Sequence, residues 1–317
     1  MRPDAPCFIV FNIGSGHGDP AAAKKTIADA MRRAGREFEL LEVDDPKTLP
    51  DIARRAVQMA VERDGIAVAA GGDGTINTVA AAVLESERPF GVLPQGTFNY
   101  FGRANGLSQN IEESVQTLLS GRIQPTQVGL INGRVFLVNA SIGLYPRILE
   151  DREVFKKRYG RHRIVALWSA ASTVLRRHRH WLLQLEDERG REAILQTPTL
   201  FVGNNALQLE QVGLPQAPDV ETGFLAGVAM KPISRWGLFQ LAFHGALGRL
   251  AHAHKVIHFA FRELTVTPLR HHHQPMKIAT DGEVAYLQPP IRLGVAPQSL
   301  QLLVPRDPAE AEKARQA

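Results

Sequence analysis

The chain has 317 residues, of which 44% are hydrophobic and 22% charged, and it carries a formal net charge of +5. That length holds two domains with cores of their own, and that composition excludes a disordered or low-complexity polypeptide. A single cysteine, Cys7, excludes an internal disulfide framework and fits a reducing compartment. No apolar run reaches the ~18 residues of a spanning helix and the N-terminus lacks a charged-then-apolar signal, so the expectation is a cytoplasmic protein.

Cys7 to Phe11 is a short apolar run that predicts a strand, with Cys7 a buried strand residue rather than a nucleophile. The loop Asn12 to Asp19 follows, and Asp19 with Pro20 makes an N-cap and N1 pair for a helix. Phe38 to Val43 predicts a second strand, followed by a helix from Leu49 or Pro50 to Arg63. Ile66 to Ala70 is continuously apolar, which suits a strand buried on both faces of a parallel sheet. Beyond a glycine turn, Ile76, Val79, Ala80, Val83 and Leu84 fall on one helical face. Phe90 to Leu93 gives a fourth strand. Residues 1–125 therefore read as an α/β domain whose strand C-termini meet at one edge, where open α/β sheets bind ligands. The segment Gly121 to Pro125 is the expected linker.

Residues 126–306 have a different texture, with a return of their C-terminal segment to the first domain as an alternative. Val135 to Asn139, Trp181 to Leu185, Thr199 to Gly203, Phe224 to Met230, Leu264 to Thr267, Ile291 to Val295 and Leu300 to Val304 are short strand candidates bounded by Gly, Pro and polar residues, which predicts a mostly antiparallel β unit. Helical insertions are expected near Pro146 to Tyr159 and His162 to Arg177. Residues 307–317 read as a frayed polar tail.

The run Gly71-Gly72-Asp73-Gly74-Thr75-Ile76-Asn77 joins a strand to a helix. Glycines there accept positive φ and close approach of a ligand, and the helix N-terminus favours negative charge. Asp73 does not itself attract a phosphate, so its use is through Mg²⁺ or on an acceptor proton; a tight turn whose Asp caps the helix is the plainer alternative. Asn12-Ile13-Gly14-Ser15-Gly16 follows the first strand and offers backbone and a hydroxyl to phosphate oxygens, without a dinucleotide fingerprint or a P-loop lysine. Gln95-Gly96-Thr97-Phe98-Asn99-Tyr100 leaves the fourth strand in the same way. Asp281-Gly282-Glu283 lies in an expected turn between β segments, where an acidic tight turn is the ordinary explanation.

Taken in order, these four segments resemble the diacylglycerol kinase catalytic family, which includes bacterial lipid kinases and is related to the sphingosine and ceramide kinases. The Gly-Gly-Asp-Gly-Thr element is shared with NAD kinases and phosphofructokinases, whose companion motifs are absent here. The resemblance implies an α/β N-terminal domain with a parallel sheet, like that of NAD kinases and phosphofructokinases, and a second, mostly antiparallel β-sandwich domain for an acyl-chain substrate. It implies an ATP-dependent lipid kinase that uses Mg²⁺ and transfers the γ-phosphoryl group to a lipid hydroxyl, with diacylglycerol as the first candidate. Carried over by position, Asn12, Ser15, Gly16, Gly71, Gly72, Asp73, Gly74, Thr75, Asn77, Gly96, Thr97 and Asn99 would bind ATP. Glu283 would be the base and Asp73 would organise Mg²⁺ and phosphate, directly or through water, although in the sphingosine kinases the Asp of the glycine signature is given the base role. The two acids would then have to act on the same phosphoryl group.

The chain departs from the family at two acids, with Thr78 and Tyr100 where many members carry Glu and Asp. The segment Ala217 to Gly223 is the nearest counterpart of a structural Mg²⁺ site in bacterial members; it retains Asp219 but has Thr222 in place of an acid. These departures leave a catalytically weak lipid- or nucleotide-binding protein of the same fold as the alternative reading. Between Arg152 and Arg179 the charge is strongly basic, with Trp168 and Trp181 within or beside it, which suits either a solvated helix face or transient contact with an anionic membrane surface. No recognised nucleic-acid module accompanies it. Tyr145 and Arg147 lie where a lipid headgroup enters in relatives, or simply start a surface helix at Pro146. His271-His272-His273 reads as a solvated loop rather than a metal site.

Overall fold

The computed structural model describes residues 4–16, 19–96, 99–143, 180–211, 216–231, 256–270 and 274–316. Thr97, Tyr145, Arg147, the two expected helical insertions, the basic stretch with Trp168 and His271 to His273 lie outside these residues. The chain divides into two compact units: residues 1–128 with 296–317, and residues 129–295.

The first unit opens with β1 (Cys7–Asn12), α1 (Pro20–Arg33), β2 (Phe38–Val43), α2 (Leu49–Glu62), β3 (Ile66–Gly71), α3 (Asp73–Val83) and β4 (Pro89–Pro94). It continues through α4 (Tyr100–Ala104), α5 (Ile111–Ser120) and β5 (Arg122–Thr126). Asp19 caps α1 by accepting from the Ala21 amide at 2.9 Å, and Pro20 occupies its first turn. Asn110 caps α5 likewise, through the Glu113 amide at 3.1 Å.

The second unit contains β6 (Gly129–Ile131), β7 (Arg134–Phe136), β8 (Asn139–Gly143), β9 (Trp181–Asp187), β10 (Glu192–Thr197) and β11 (Thr199–Gly203). After α6 (Ala206–Gln211) and α7 (Ala217–Glu221) come β12 (Leu225–Met230), β13 (Val256–Phe261), β14 (Glu263–Pro268), β15 (Met276–Thr280), β16 (Glu283–Leu287) and β17 (Ile291–Val295). The chain ends with β18 (Leu300–Val304) and α8 (Pro308–Gln316).

In the first unit the sheet runs β2-β1-β3-β4-β18-β5, parallel except for β5 against β18. Every residue of β3 is buried, as its unbroken apolar run requires when helices cover both faces. On one face Cys7, Ile9, Phe11, Ile66, Val68 and Ala70 pack with Ile27 and Met31 of α1 and Val115 and Leu118 of α5. The helical face expected of α3 is also buried, from Ile76 through Val83. Leu300–Val304 takes the alternative course, returning to the first unit and inserting between β4 and β5, whereas the expected linker Gly121 to Pro125 is corrected, because Arg122–Thr126 is itself the edge strand. The polar tail likewise forms a helix rather than a frayed end.

The second unit is a sandwich of two antiparallel sheets, β10-β9-β14-β17-β6-β7 and β13-β12-β11-β8-β15-β16. One core joins them, with Leu183, Leu185, Leu264, Val266 and Leu293 from the first sheet and Ile142, Leu200, Leu225, Met276 and Ile278 from the second. α6 and α7 cover the outer side of the second sheet through Leu209, Ala217, Val220 and Ala226. The candidate strand Val135 to Asn139 is corrected to the end of one strand and the start of another, with Leu137 and Val138 between them. Among the described residues no helix is long and apolar enough to cross a membrane.

Candidate functional site

The strand order places β1 between β2 and β3, so the chain leaves β1 toward one side and later returns on the other. At such a switch point the connections after adjacent strands diverge and leave a crevice beyond their C-terminal ends. Three glycine-bearing turns converge there, after β1, β3 and β4.

The turn after β1 is organised by Asn12. Its Oδ1 accepts from the Gly14 amide at 3.0 Å, its main-chain oxygen accepts from the Ser15 amide at 3.1 Å, and its Nδ2 donates to Thr75 Oγ1 at 2.8 Å. Gly16 has φ +85°, and a Cβ there would lie 2.7 Å from the Gln95 carbonyl oxygen, so only glycine brings this turn against the third. Ser15 is half-buried within the turn.

The second turn starts α3. Gly71 accepts from the Gln95 amide at 2.8 Å, and Gly72 is the N-cap residue, accepting from Ile76 at 3.0 Å. No side chain caps this helix. Gly72 offers no capping oxygen of its own, so this helix start is one where an anion would complement the helix dipole. A side chain at Gly71 would collide with the Thr75 hydroxyl at 2.6 Å. Asp73 and Asn77 lie one turn apart on the same side of α3, both half-buried with Gly74. Thr78 donates its hydroxyl back to the Gly74 carbonyl at 2.9 Å, so the position where the family resemblance leads to the expectation of an acid is occupied here by a helix back-bond.

The third turn follows β4. A Cβ on Gly96 would sit 3.0 Å from Gly72 Cα and 3.6 Å from the Asp73 nitrogen, which shows two main chains in near contact. Asn99 adopts a left-handed conformation, φ 43° and ψ 45°, and is 1% exposed. Among the described residues neither polar atom of its side chain has a hydrogen-bond partner. Gln95, to which the sequence reading gives no role, ties this turn to the second through its amide, and its carbonyl is the group that Gly16 approaches.

The structure thus brings together Asn12, Ser15, Gly16, Gly71 to Thr75 and Gly96 at one sheet edge, with Asp73 the sole carboxylate of the three turns, while Asn99 stands at the start of α4. Mg²⁺ is usually held by one or two carboxylates plus substrate phosphates, so this donor set fits a phosphate-bound magnesium. Glu283 belongs to the second unit, where it is the exposed first residue of β16.

Asp219 is a different case. Its carbonyl oxygen accepts from the Thr222 amide at 3.1 Å, the Thr222 hydroxyl at 2.9 Å and the Phe224 amide at 3.1 Å. Among the described residues no group of three or more His, Cys, Asp or Glu could hold a metal. The corner closes on hydrogen bonds to its own main chain, and among the described residues it gathers too few acid, His or Cys donors for a structural cation.

Fold and turns together define an α/β unit with three glycine turns at one sheet edge, and a β-sandwich unit. Residues 6–131 match the family model described as "Diacylglycerol kinase catalytic domain", so the resemblance drawn from the motifs holds over that segment. The chain is 35% identical over 146 residues to a protein named diacylglycerol kinase from Bacillus subtilis strain 168, spanning 45% of this chain and 47% of that protein. It is 30% identical over 140 residues to another of that name from Staphylococcus saprophyticus, spanning 43% and 44%. The chain thus matches less than half the length of these relatives. A solved structure described as a diacylglycerol kinase from Bacillus anthracis aligns over 96% of this chain and 98% of its own, with TM-score 0.69 and 18% identity, which establishes the fold.

Proposed function

We propose that the protein is an ATP-dependent lipid kinase that transfers the γ-phosphoryl group to the hydroxyl of an acyl-chain lipid, with diacylglycerol the first candidate. The observation that carries this reading is the meeting of three glycine turns at the β1/β3 switch point, one of them an uncapped helix start, within the segment that matches the kinase family model. Phosphoryl transfer demands little covalent chemistry of the protein; positioning and charge stabilisation dominate. Main-chain groups of Asn12 to Gly16, Gly71 to Thr75 and Gly96 hold the phosphates, with Thr97, Asn77 and Asn99 in support. Asp73 holds Mg²⁺, directly or through water. When bound, that ion neutralises charge on the transferring group. Glu283 takes the proton of the acceptor hydroxyl. The β unit supplies the lipid side, and contact with an anionic membrane surface is transient, through the basic stretch Arg152 to Arg179.

The test is incubation with labelled ATP, Mg²⁺ and a panel of lipids, followed by extraction of labelled product. Asp73→Asn and Glu283→Gln should each lower transfer by at least about 100-fold, in keeping with loss of a charge-organising group or a general base, while melting stays cooperative. A second reading has its own support in Thr78, whose hydroxyl is turned to Gly74 where the family resemblance leads to the expectation of an acid. If no lipid is labelled while acyl lipids copurify with the protein, it is a binding protein and the kinase reading fails.

A further inference from the structure

Asp281 and Gly282 form the two-residue turn between β15 and β16, with φ 47° and φ 89°. Left-handed conformations at both positions are what an Asp-Gly hairpin turn requires, but such a turn is made equally well by Asn-Gly and needs no carboxylate. The Asp281 side chain is spent elsewhere. Its Oδ2 accepts from the Leu137 amide at 2.7 Å, and its Oδ1 accepts from the Val138 amide at 2.9 Å and the Asn139 amide at 2.8 Å. Its own amide donates to the Asn139 carbonyl at 2.9 Å. On the remaining two carbonyls, Asn204 Nδ2 donates to Leu137 at 3.0 Å and the Asn204 amide donates to Val138 at 2.8 Å. Every main-chain polar group of Leu137 to Asn139 is therefore taken by Asp281 or Asn204. Three successive N–H groups gathered on one anion make a nest, and each bond to a charged acceptor is about twice as strong as a neutral one.

We infer that Asp281 is a positioning residue: it locks the hairpin that carries Glu283 onto the junction of β7 and β8, and so fixes where the Glu283 carboxylate is presented. This inference rests on the assignment of Glu283 as base in the proposed function. Glu283 needs such an anchor because β16 is the outermost strand of its sheet and Glu283 is its exposed first residue. Ends of edge strands open at low free-energy cost unless held by other contacts. Asp281→Asn keeps the turn chemistry and the shape. It places an NH₂ group, a donor, against one of the amides that the carboxylate now satisfies.

Hydrogen exchange and steady-state kinetics on the full chain separate the two layers. In Asp281→Asn the amides of 137–139 should exchange at least about tenfold faster than in wild type. The kcat for lipid phosphorylation should fall about 10- to 100-fold, the cost of a small misplacement, with KM for ATP within about twofold. Unchanged exchange, an unchanged kcat, or a loss expressed in KM for ATP overturns the inference. A wild-type protein that labels no lipid overturns the kinase reading instead, and faster exchange at 137–139 then still supports the anchor. Should Asp281→Asn not fold, Asn204→Ala loosens the same segment from its other side, and a kcat equal to wild type in that variant overturns the positioning role.

Discussion

The side-chain amide of Asn12 donates to the Thr75 hydroxyl at 2.8 Å, tying the turn after β1 to the first turn of α3. Thr75 is 3% exposed and lies directly behind Gly71, so the bond sits under the proposed phosphate cradle rather than at its rim. Asn12 also holds its own turn through Gly14 and Ser15, which makes it the residue on which the geometry of both turns depends.

Thr75→Val preserves shape and removes the acceptor, leaving the Asn12 Nδ2 without its partner. An unmade buried hydrogen bond costs about 1–3 kcal/mol, part of which is relieved here because Asn12 is half-buried. ATP affinity is expected to weaken about three- to tenfold while the fold persists. Titration with a non-hydrolysable ATP analogue measures this, and affinity equal to wild type would count against a nucleotide at these turns.

Gly96→Ala makes a sharper test because its neighbour is main chain. The added methyl would lie 3.0 Å from Gly72 Cα, a main-chain atom that cannot swing aside as the end of a flexible side chain would. Overpacking of this kind costs about 1–3 kcal/mol. The expected outcome is a lowered melting temperature together with at least about tenfold weaker nucleotide binding. Gly133→Ala serves as the control, since no atom lies within 4 Å of its Cβ position, although its φ of +78° brings its own modest strain.

The N-terminal half of this architecture was legible because its signals are local. Strands buried on both faces read as unbroken apolar runs, as in Ile66 to Ala70, and Asp19-Pro20 announces a helix start without help from the rest of the chain. The glycine turns were legible for the same reason. The strand Leu300–Val304 is legible as a strand, but its sequence leaves open whether it stays with the second unit or returns to the first, because an apolar run carries no record of which partners it pairs with. Val135 to Asn139 was read as one strand because Leu137 and Val138 continue its apolar character, while the break between β7 and β8 is held by a carboxylate far along the chain. Asp281 was visible as part of a turn, but its three acceptor bonds depend on a non-local contact that no spacing rule contains.

Cys7 gives a pH-dependent expectation with a definite sign. It is fully buried in β1, and burial raises its thiol from 9.0 to about 11, partly opposed by Arg36. Below pH 9 both folded and unfolded chains hold the proton, so the group has no effect. Between pH 9 and about 11 the unfolded chain releases the proton while the folded chain retains it, so stability falls as pH rises, by about 2–3 kcal/mol in all. Denaturant midpoints measured from pH 8 to 11 should show that decline in wild type and a shallower one in Cys7→Ala. Iodoacetamide should leave native Cys7 unmodified at pH 8; rapid alkylation would contradict its burial.

Metal removal addresses the corner at Asp219. A structural cation in this place would make stability depend on metal, since binding to the folded state alone adds RT ln(1 + [L]/Kd). Here the Asp219 carbonyl already accepts three hydrogen bonds, one of them from the Thr222 hydroxyl, so the turn is closed without an ion. The nucleotide-free protein is expected to melt within about 1 °C in EDTA and in millimolar Mg²⁺, and Thr222→Val to lose about 0.5–1 kcal/mol with the removed bond. Thr222→Asp removes the same hydroxyl but adds a carboxylate, so its melting temperature should fall as in Thr222→Val and acquire a dependence on Mg²⁺ that wild type lacks. A wild-type melting temperature that rises by several degrees with Mg²⁺ alone, and a rise that Asp219→Asn removes but Asp73→Asn keeps, would show that the corner binds metal.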